Sequence, residues 1–345
     1  MISAASRSRW ISFGVLTGLA LGVGALLRAS GFAVGPALDA LARGSLGSWY
    51  AIGSGTLVRA TPLILTGLAV AVAFRAGVFN IGAEGQFLVG ATGGTAIALT
   101  MHSAPAVLLI PAILIAGACA GAAWAWIAAV LRARFHVLEV ISTIMLNFLA
   151  AYLVSYLVRG PMQEPTHIYP QTVSIANAAR LPRFGGQTRL HIGFVIAVLA
   201  CLATWWAIRY TAGGFRLRAV GANPHAARTA GQIDVDRVST RAFLASGALA
   251  GLAGAIEVCG VTYALYENIS PGYGYTAIAV ALLARLNAAA VIATGILFGA
   301  LEAGAAAMQR DAGVPSVVVS VVEAGIILAL VAAQRTQIRL GATSA

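Results

Sequence analysis

Three groups of polar residues interrupt a chain that is otherwise apolar, and the spacing of each has a chemical meaning. Glu139, Thr143 and Asn147 recur every four residues with Ser142 beside them, so on a helix they share one face. In an apolar helix such a stripe turns inward, where it either contacts a hydroxylated or heterocyclic solute or cross-links neighbouring helices. The second group is a pair of interruptions. Phe74-Arg75-Ala76-Gly77-Val78-Phe79-Asn80-Ile81-Gly82-Ala83-Glu84-Gly85-Gln86 sets Asn80, Glu84 and Gln86 among three glycines, and Asn268-Ile269-Ser270-Pro271-Gly272-Tyr273-Gly274-Tyr275 is its counterpart. Irregular backbone at membrane depth is tolerated only where protein or a wet cavity covers it, so both breaks are candidates for lining a pathway. The third group is Gly221-Ala222-Asn223-Pro224-His225-Ala226-Ala227-Arg228-Thr229-Ala230-Gly231. Asn223 suits an N-cap, Pro224 the first helical position, and Gly231 a left-handed stop, which predicts a helix over 224–230. At roughly 10 Å it is too short to persist alone, so it docks on its own protein or on a partner.

Other chemistry is excluded by what is missing. The chain has no lysine, so the GxxxxGK[ST] phosphate loop cannot exist, and if ATP drives this protein another chain binds it. No HExxH, GxSxG or catalytic carboxylate pair occurs, so no catalytic residue is assigned. Cys119, Cys201 and Cys259 stand alone in apolar runs, which points to packing rather than to disulfides or a metal site. Glu257, Glu302 and Glu323 are single carboxylates in apolar segments, expected to pair with a backbone donor or an arginine. An ion-coupled secondary transporter would use such glutamates, and that is the alternative class. His102, His136, His167 and His191 fall near segment ends, as interfacial histidines do. Tyr263, Tyr266, Tyr273 and Tyr275 form either an interfacial belt or a stacking surface for a planar solute.

The elements that must position these residues are membrane helices. Of 345 residues 59% are hydrophobic and only 10% charged, well under the ~25% of soluble domains. Apolar runs over about 10–27, 57–74, 86–101, 105–131, 135–158, 191–208, 241–259, 272–285, 288–308 and 315–333 predict an all-α polytopic membrane protein of about ten transmembrane helices. The first run follows Arg7 and Arg9 and is longer than a signal peptide's, so it reads as an uncleaved span. The net charge of +11 comes from 22 arginines scattered singly, without the clustered stripe that tracks nucleic acid. Placing both termini in the cytoplasm puts 14 of the 22 there, together with the 209–240 loop, and leaves the Pro-rich 159–190 loop outside. In this topology the first break lies at the cytoplasmic end of its spans and the second at the outer end, as a five-plus-five inverted repeat gives. Glycines four apart, such as Gly14, Gly18 and Gly22, Gly117 and Gly121, and Gly247 and Gly251, predict closely packed helices.

The runs Leu65 to Gln86, Glu139 to Asn147, Leu217 to Pro224, Ser246 to Gly254, Pro271 to Tyr275 and Ile278 to Leu283, taken in order, resemble permease subunits of nucleoside or simple-sugar ABC importers. That group includes the ribose and branched-chain amino acid permeases, and the likeness covers roughly residues 57 to 330. The resemblance implies one permease domain over 1–345 in a bacterial inner membrane, moving solute by alternating access. It implies that Gly221, Asn223, Pro224, Ala227, Arg228 and Gly231 form a coupling helix seated on an ATPase subunit, which binds the ATP and Mg. It also implies an extracytoplasmic solute-binding protein and a second permease, identical or related. Asn80, Glu84, Gln86, Glu139, Thr143, Asn147, Tyr273 and Tyr275 are then the candidate pathway residues. Departures from the family pattern are Leu138 for an Asn, Thr276-Ala277 for Asp-Gly and Ala288-Ala289 for Pro-Leu, and the first two touch the expected pathway.

Overall fold

The computed structural model describes residues 27–231 and 233–315, together with 22, 24, 25, 317, 318, 321, 324 and 325. The expected first and last spans, with Gly14, Gly18 and Glu323, lie largely or wholly outside the described residues. The chain divides into two compact units, residues 1–59 with 297–345, and residues 60–296.

In order, the helices are α1 (Val34–Leu46), α2 (Leu57–Arg75), α3 (Ala83–Thr100), α4 (Ala106–Phe135), α5 (Glu139–Arg159), α6 (Gly193–Tyr210), α7 (Ala212–Ala222), α8 (Pro224–Ala230), α9 (Val235–Glu257), α10 (Tyr273–Leu283) and α11 (Ala290–Ala312). A π-helical turn precedes α2 at Ala51–Thr56 and another extends α9 over Val258–Thr262. Among the described residues, six stretches are long and apolar enough to cross a membrane: Ala51–Arg75, Ala106–Phe135, Glu139–Arg159, Gly193–Tyr210, Val235–Thr262 and Ala290–Ala312. At 11 residues α10 is a half-length helix of about 16 Å.

In the first unit α1 meets the end of α11 through Gly44, where a Cβ would lie 2.1 Å from that of Ala307. Leu27, Ala37, Ala305, Met308 and Val314 form its core.

The second unit is built on α3, α4 and α9. A Cβ on Gly90 would stand 2.1 Å from Cα of Gly251, and one on Gly121 would stand 2.3 Å from the Gly247 carbonyl. These helices touch backbone to backbone, which gives close van der Waals packing where lipid supplies no hydrophobic drive. The 159–190 segment is tied down rather than free. Thr172 N–H donates to the Leu265 carbonyl at 2.8 Å, Ile175 N–H to Tyr263 at 2.8 Å, and Leu181 N–H to Cys259 at 2.9 Å. Arg180 and Arg183 lie 4.6 and 5.7 Å from the Tyr263 ring centre, clasping it in cation–π contact.

Candidate functional site

The two breaks, expected at opposite membrane faces, meet. Glu84 in the first turn of α3 accepts a hydrogen bond from Gly274 N–H in the first turn of α10 at 2.7 Å. A Cβ on Gly274 would lie 2.2 Å from Glu84 N, so the helix starts approach as closely as backbones can. Their meeting has a local cause. After Arg75 the chain turns at Gly77, with φ of 74°, and runs back into the protein instead of ending at a surface. Asn80 there donates to the Ser246 hydroxyl at 2.9 Å, about three helical turns into α9.

Side chains cap orphan N–H groups at both helix starts. Asn80 Oδ1 accepts from Gly82 N–H at 2.9 Å, and Asn147 Oδ1, reaching across from α5, accepts from Gly85 N–H at 2.9 Å. At α10 the Ser270 hydroxyl oxygen accepts from Gly272 and Tyr273 N–H, both at 3.1 Å, and its proton goes to Glu84. Glu84 therefore sits where two helix N-termini present their positive ends.

A cavity of about 360 Å³ opens against this junction. Glu84, Asn147, Ser270 and Tyr275 supply its polar wall, Phe148 and Tyr152 its aromatic faces, and Leu88 and Val154 apolar surface. Asn147 Nδ2 donates to the Ile81 carbonyl at 3.0 Å and to the Tyr275 hydroxyl at 3.4 Å. The Tyr275 hydroxyl proton meets no acceptor among the described residues, so it can donate to a bound molecule. A cavity of this size with apolar walls and a few converging polar groups is of the kind that orients a small solute.

At the rim Arg159 grips Glu267 with two hydrogen bonds, 2.6 Å from Nε to Oε1 and 2.7 Å from Nη2 to Oε2, and the Ser155 hydroxyl donates to the same carboxylate. These partners hold the Glu267 carboxyl down to about 2. Ser155, Glu267, Phe148 and Tyr152 are not among the residues expected from the sequence. The signal was present, because Asn147, Ala151, Ser155 and Arg159 continue the four-residue stripe of α5.

The other expected residues fall elsewhere. Asn80 and Gln86 form a reciprocal amide pair, 2.9 and 3.1 Å, fully buried behind the cavity. Thr143 is buried, donates to the Glu139 carbonyl at 2.6 Å, and packs against Gly82. Glu139 is not with them: its carboxylate pairs with Arg132 at 3.5 Å, across the turn made by His136. Tyr273 is buried edge-on against Phe87, with centroids 5.7 Å apart, and belongs to the packing. His191, expected at an interface, is buried and accepts from Gly193 N–H at 3.2 Å. Cys201 and Cys259 are buried, whereas Cys119 is exposed on α4.

The short helix forms over Pro224–Ala230, with Asn223 Oδ1 accepting from Ala226 N–H at 3.0 Å. Gly231 is not left-handed; its φ is −101°. A Cβ there would sit tightly against the Ala227 carbonyl at 3.1 Å and the Ile233 side chain at 3.2 Å. Ala227 turns inward onto Val220 and Val235, while Pro224, His225, Ala226 and Arg228 stay exposed. Just before it, a Cβ on Gly221 would lie 2.0 Å from the Arg75 carbonyl. The end of α7 thus bears directly on the segment that leads to the first break.

The family described as branched-chain amino acid transport system, permease component, matches residues 52–331. The chain belongs to this family. The permease is 41% identical to the guanosine ABC transporter permease protein NupP of Bacillus subtilis, over 91% of its own length and 90% of that protein's. It is 42% identical to the glucose ABC transporter permease protein TsgB13 of Haloferax volcanii, over 81% and 75%. With the nucleoside ABC transporter permease protein NupB of Lactococcus lactis it shares 35% over 82% and 79%. Each of these organisms also has a second, more distant relative, at 27%, 30% and 29% identity respectively.

Proposed function

We propose that this permease component is the membrane subunit of an ATP-driven importer for nucleosides, with the Glu84–Asn147–Tyr275 cavity as a solute station. The observation that carries this reading is the junction of two broken segments at the wall of a cavity with aromatic and hydrogen-bonding faces. Phe148 and Tyr152 suit the flat faces of a base, while Glu84 and Tyr275 suit hydroxyl and N–H groups. The names of two of the three relatives point to nucleosides and the third to glucose; the aromatic faces favour the former.

Solute moves by alternating access, in which ATP-driven closure of separate ATPase subunits, holding ATP and Mg, switches the helices between two packings. Pro224–Ala230 is the coupling helix: His225, Ala226 and Arg228 meet the ATPase, and Asn223, Pro224 and Gly231 shape its ends. Ala227 seats it. Gly221 transmits its motion to Arg75 and hence to Asn80, and Val235 transmits it along α9 to Ser246. Glu139, paired with Arg132 away from the cavity, stays among the pathway candidates only as a second station.

The chain is one permease domain of about ten spans in the bacterial inner membrane, with both termini and the 209–240 loop cytoplasmic and the 159–190 loop outside. α2 with α3, and α9 with α10, are the corresponding parts of an inverted repeat. The outer loop meets a solute-binding protein. A second, related permease completes the dimer, a reading supported by the paired relatives in three organisms.

The test is competition for uptake in vesicles holding the assembled transporter. Purine and pyrimidine nucleosides should compete and glucose should not. Competition by glucose alone overturns the nucleoside assignment.

A further inference from the structure

A strongly basic cavity in the second unit lies away from the junction. It measures about 470 Å³ and is lined by Arg75, Arg209, Arg218, Asn287, Trp205 and Tyr210, without a carboxylate. Among the described residues none of its three arginines pairs with an acid. Arg75 donates one bond to the Leu286 carbonyl at 3.0 Å, Arg218 donates one to the Ile208 carbonyl, and Arg209 lies 5.8 Å from the Tyr210 ring centre. Each guanidinium carries five N–H donors, so most of the donors facing this space are uncommitted. A cavity of similar construction at Arg132 and His136 is balanced by Glu139 and Asp236. Three like charges gathered without an acid call for an anion.

The surroundings say which anion. The cavity lies at the end of α6, whose outward residues Leu199, Leu202 and Trp206 are exposed apolar surface of a membrane-crossing helix. Trp205 and Tyr210 at that end are residues that settle at the headgroup level. A lipid phosphate lies at that depth, directly beside the apolar face of α6. We infer that the Arg75–Arg209–Arg218 cavity holds the phosphate headgroup of an anionic phospholipid. Guanidinium groups bind phosphate in bidentate fashion, and basic pockets between helix ends take such headgroups.

The experiment uses the purified full chain in mild detergent, titrated with phosphatidylglycerol or phosphatidylcholine, with retained lipid read by native mass spectrometry. Phosphatidylglycerol should be retained and phosphatidylcholine should not. Arg209→Gln should weaken retention about fivefold, and Arg209→Gln with Arg218→Gln about 25-fold, at the scale of ~1 kcal/mol per charge. Arg134→Gln, an exposed arginine outside the cavity, should leave retention unchanged. Arg218 also bonds the backbone, so if the double variant fails to fold, the single Arg209→Gln decides. Equal retention of phosphatidylcholine, no effect of Arg209→Gln, or equal loss in Arg134→Gln each overturns the site. Displacement of the lipid by equimolar inorganic phosphate reassigns the cavity to a free anion. Loss of ATPase binding in Arg209→Gln with lipid retention intact reassigns it to an acidic protein surface.

Discussion

The carboxylate of Glu84 receives the backbone N–H of Gly274 at 2.7 Å, joining two helix starts that are 190 residues apart in sequence. Neither helix start is complete alone, since Glu84 caps α10 while Asn147 caps α3. Whatever moves one break must therefore move the other.

Gly274→Ala places a methyl 2.2 Å from Glu84 N and 2.5 Å from its Cα, where backbone cannot yield. Overpacking of this kind costs about 1–3 kcal/mol, and here it also pulls the cap away. Thermal unfolding of the purified chain should shift down by several degrees and uptake should fall at least tenfold. Gly186→Ala, with nothing within 4 Å, should leave both unchanged.

Asn147→Leu keeps the volume but strands the buried Gly85 N–H and the Ile81 carbonyl. Each unmet group costs about 1–3 kcal/mol, so this variant should lose stability as well as transport. Tyr275→Phe removes only a half-exposed hydroxyl with one long bond. Its melting temperature should stay within about a degree of the parent while the KM for uptake rises severalfold. Equal destabilisation by the two variants would contradict the separate roles.

Gly221→Val separates α7 from the Arg75 carbonyl, because its Cβ would lie 2.0 Å from that oxygen. In the assembled transporter, ATP hydrolysis should continue without responding to solute, while uptake drops at least tenfold. Gly213→Ala, whose Cβ meets only the Thr211 hydroxyl at 3.7 Å, should transport normally.

Glu267 titrates at about 2 because Arg159 and Ser155 hydrogen-bond its carboxylate. A depressed folded value means that its contribution is complete above the unfolded carboxylate range near ~4.3 and is lost as pH falls toward 2. The melting-temperature difference between wild type and Glu267→Gln should be constant from pH 7 to about pH 5 and shrink below pH 4.5. A difference that grows on acidification would contradict the ion pair.

What the sequence revealed depended on range. Pro224–Ala230 was legible to the residue because Asn223 and Pro224 act within one turn of the helix they start. Both breaks were legible for the same reason: glycine, proline and amide residues act on the backbone beside them. Their meeting was not, because only the missing side chain of Gly274 records the approach of Glu84. Glu139 shares the i+4 stripe with Asn147, but the turn at His136 brings Arg132 back to it. Tyr273 and Tyr275 looked alike, yet positions two apart on a helix face nearly opposite sides, one into Phe87 and one into the cavity. Glu267 escaped notice because its partners, Ser155 and Arg159, are more than 100 residues away.

The most direct test of the central claim measures ATP hydrolysis and uptake of labelled guanosine together, in vesicles holding the assembled transporter with wild-type chain or Glu84→Ala. Wild type should accumulate guanosine only with ATP, and Glu84→Ala should lose accumulation by at least tenfold while the complex still assembles and hydrolyses ATP. Guanosine accumulation that survives Glu84→Ala, or that persists without ATP and collapses with an ion uncoupler, would contradict the account.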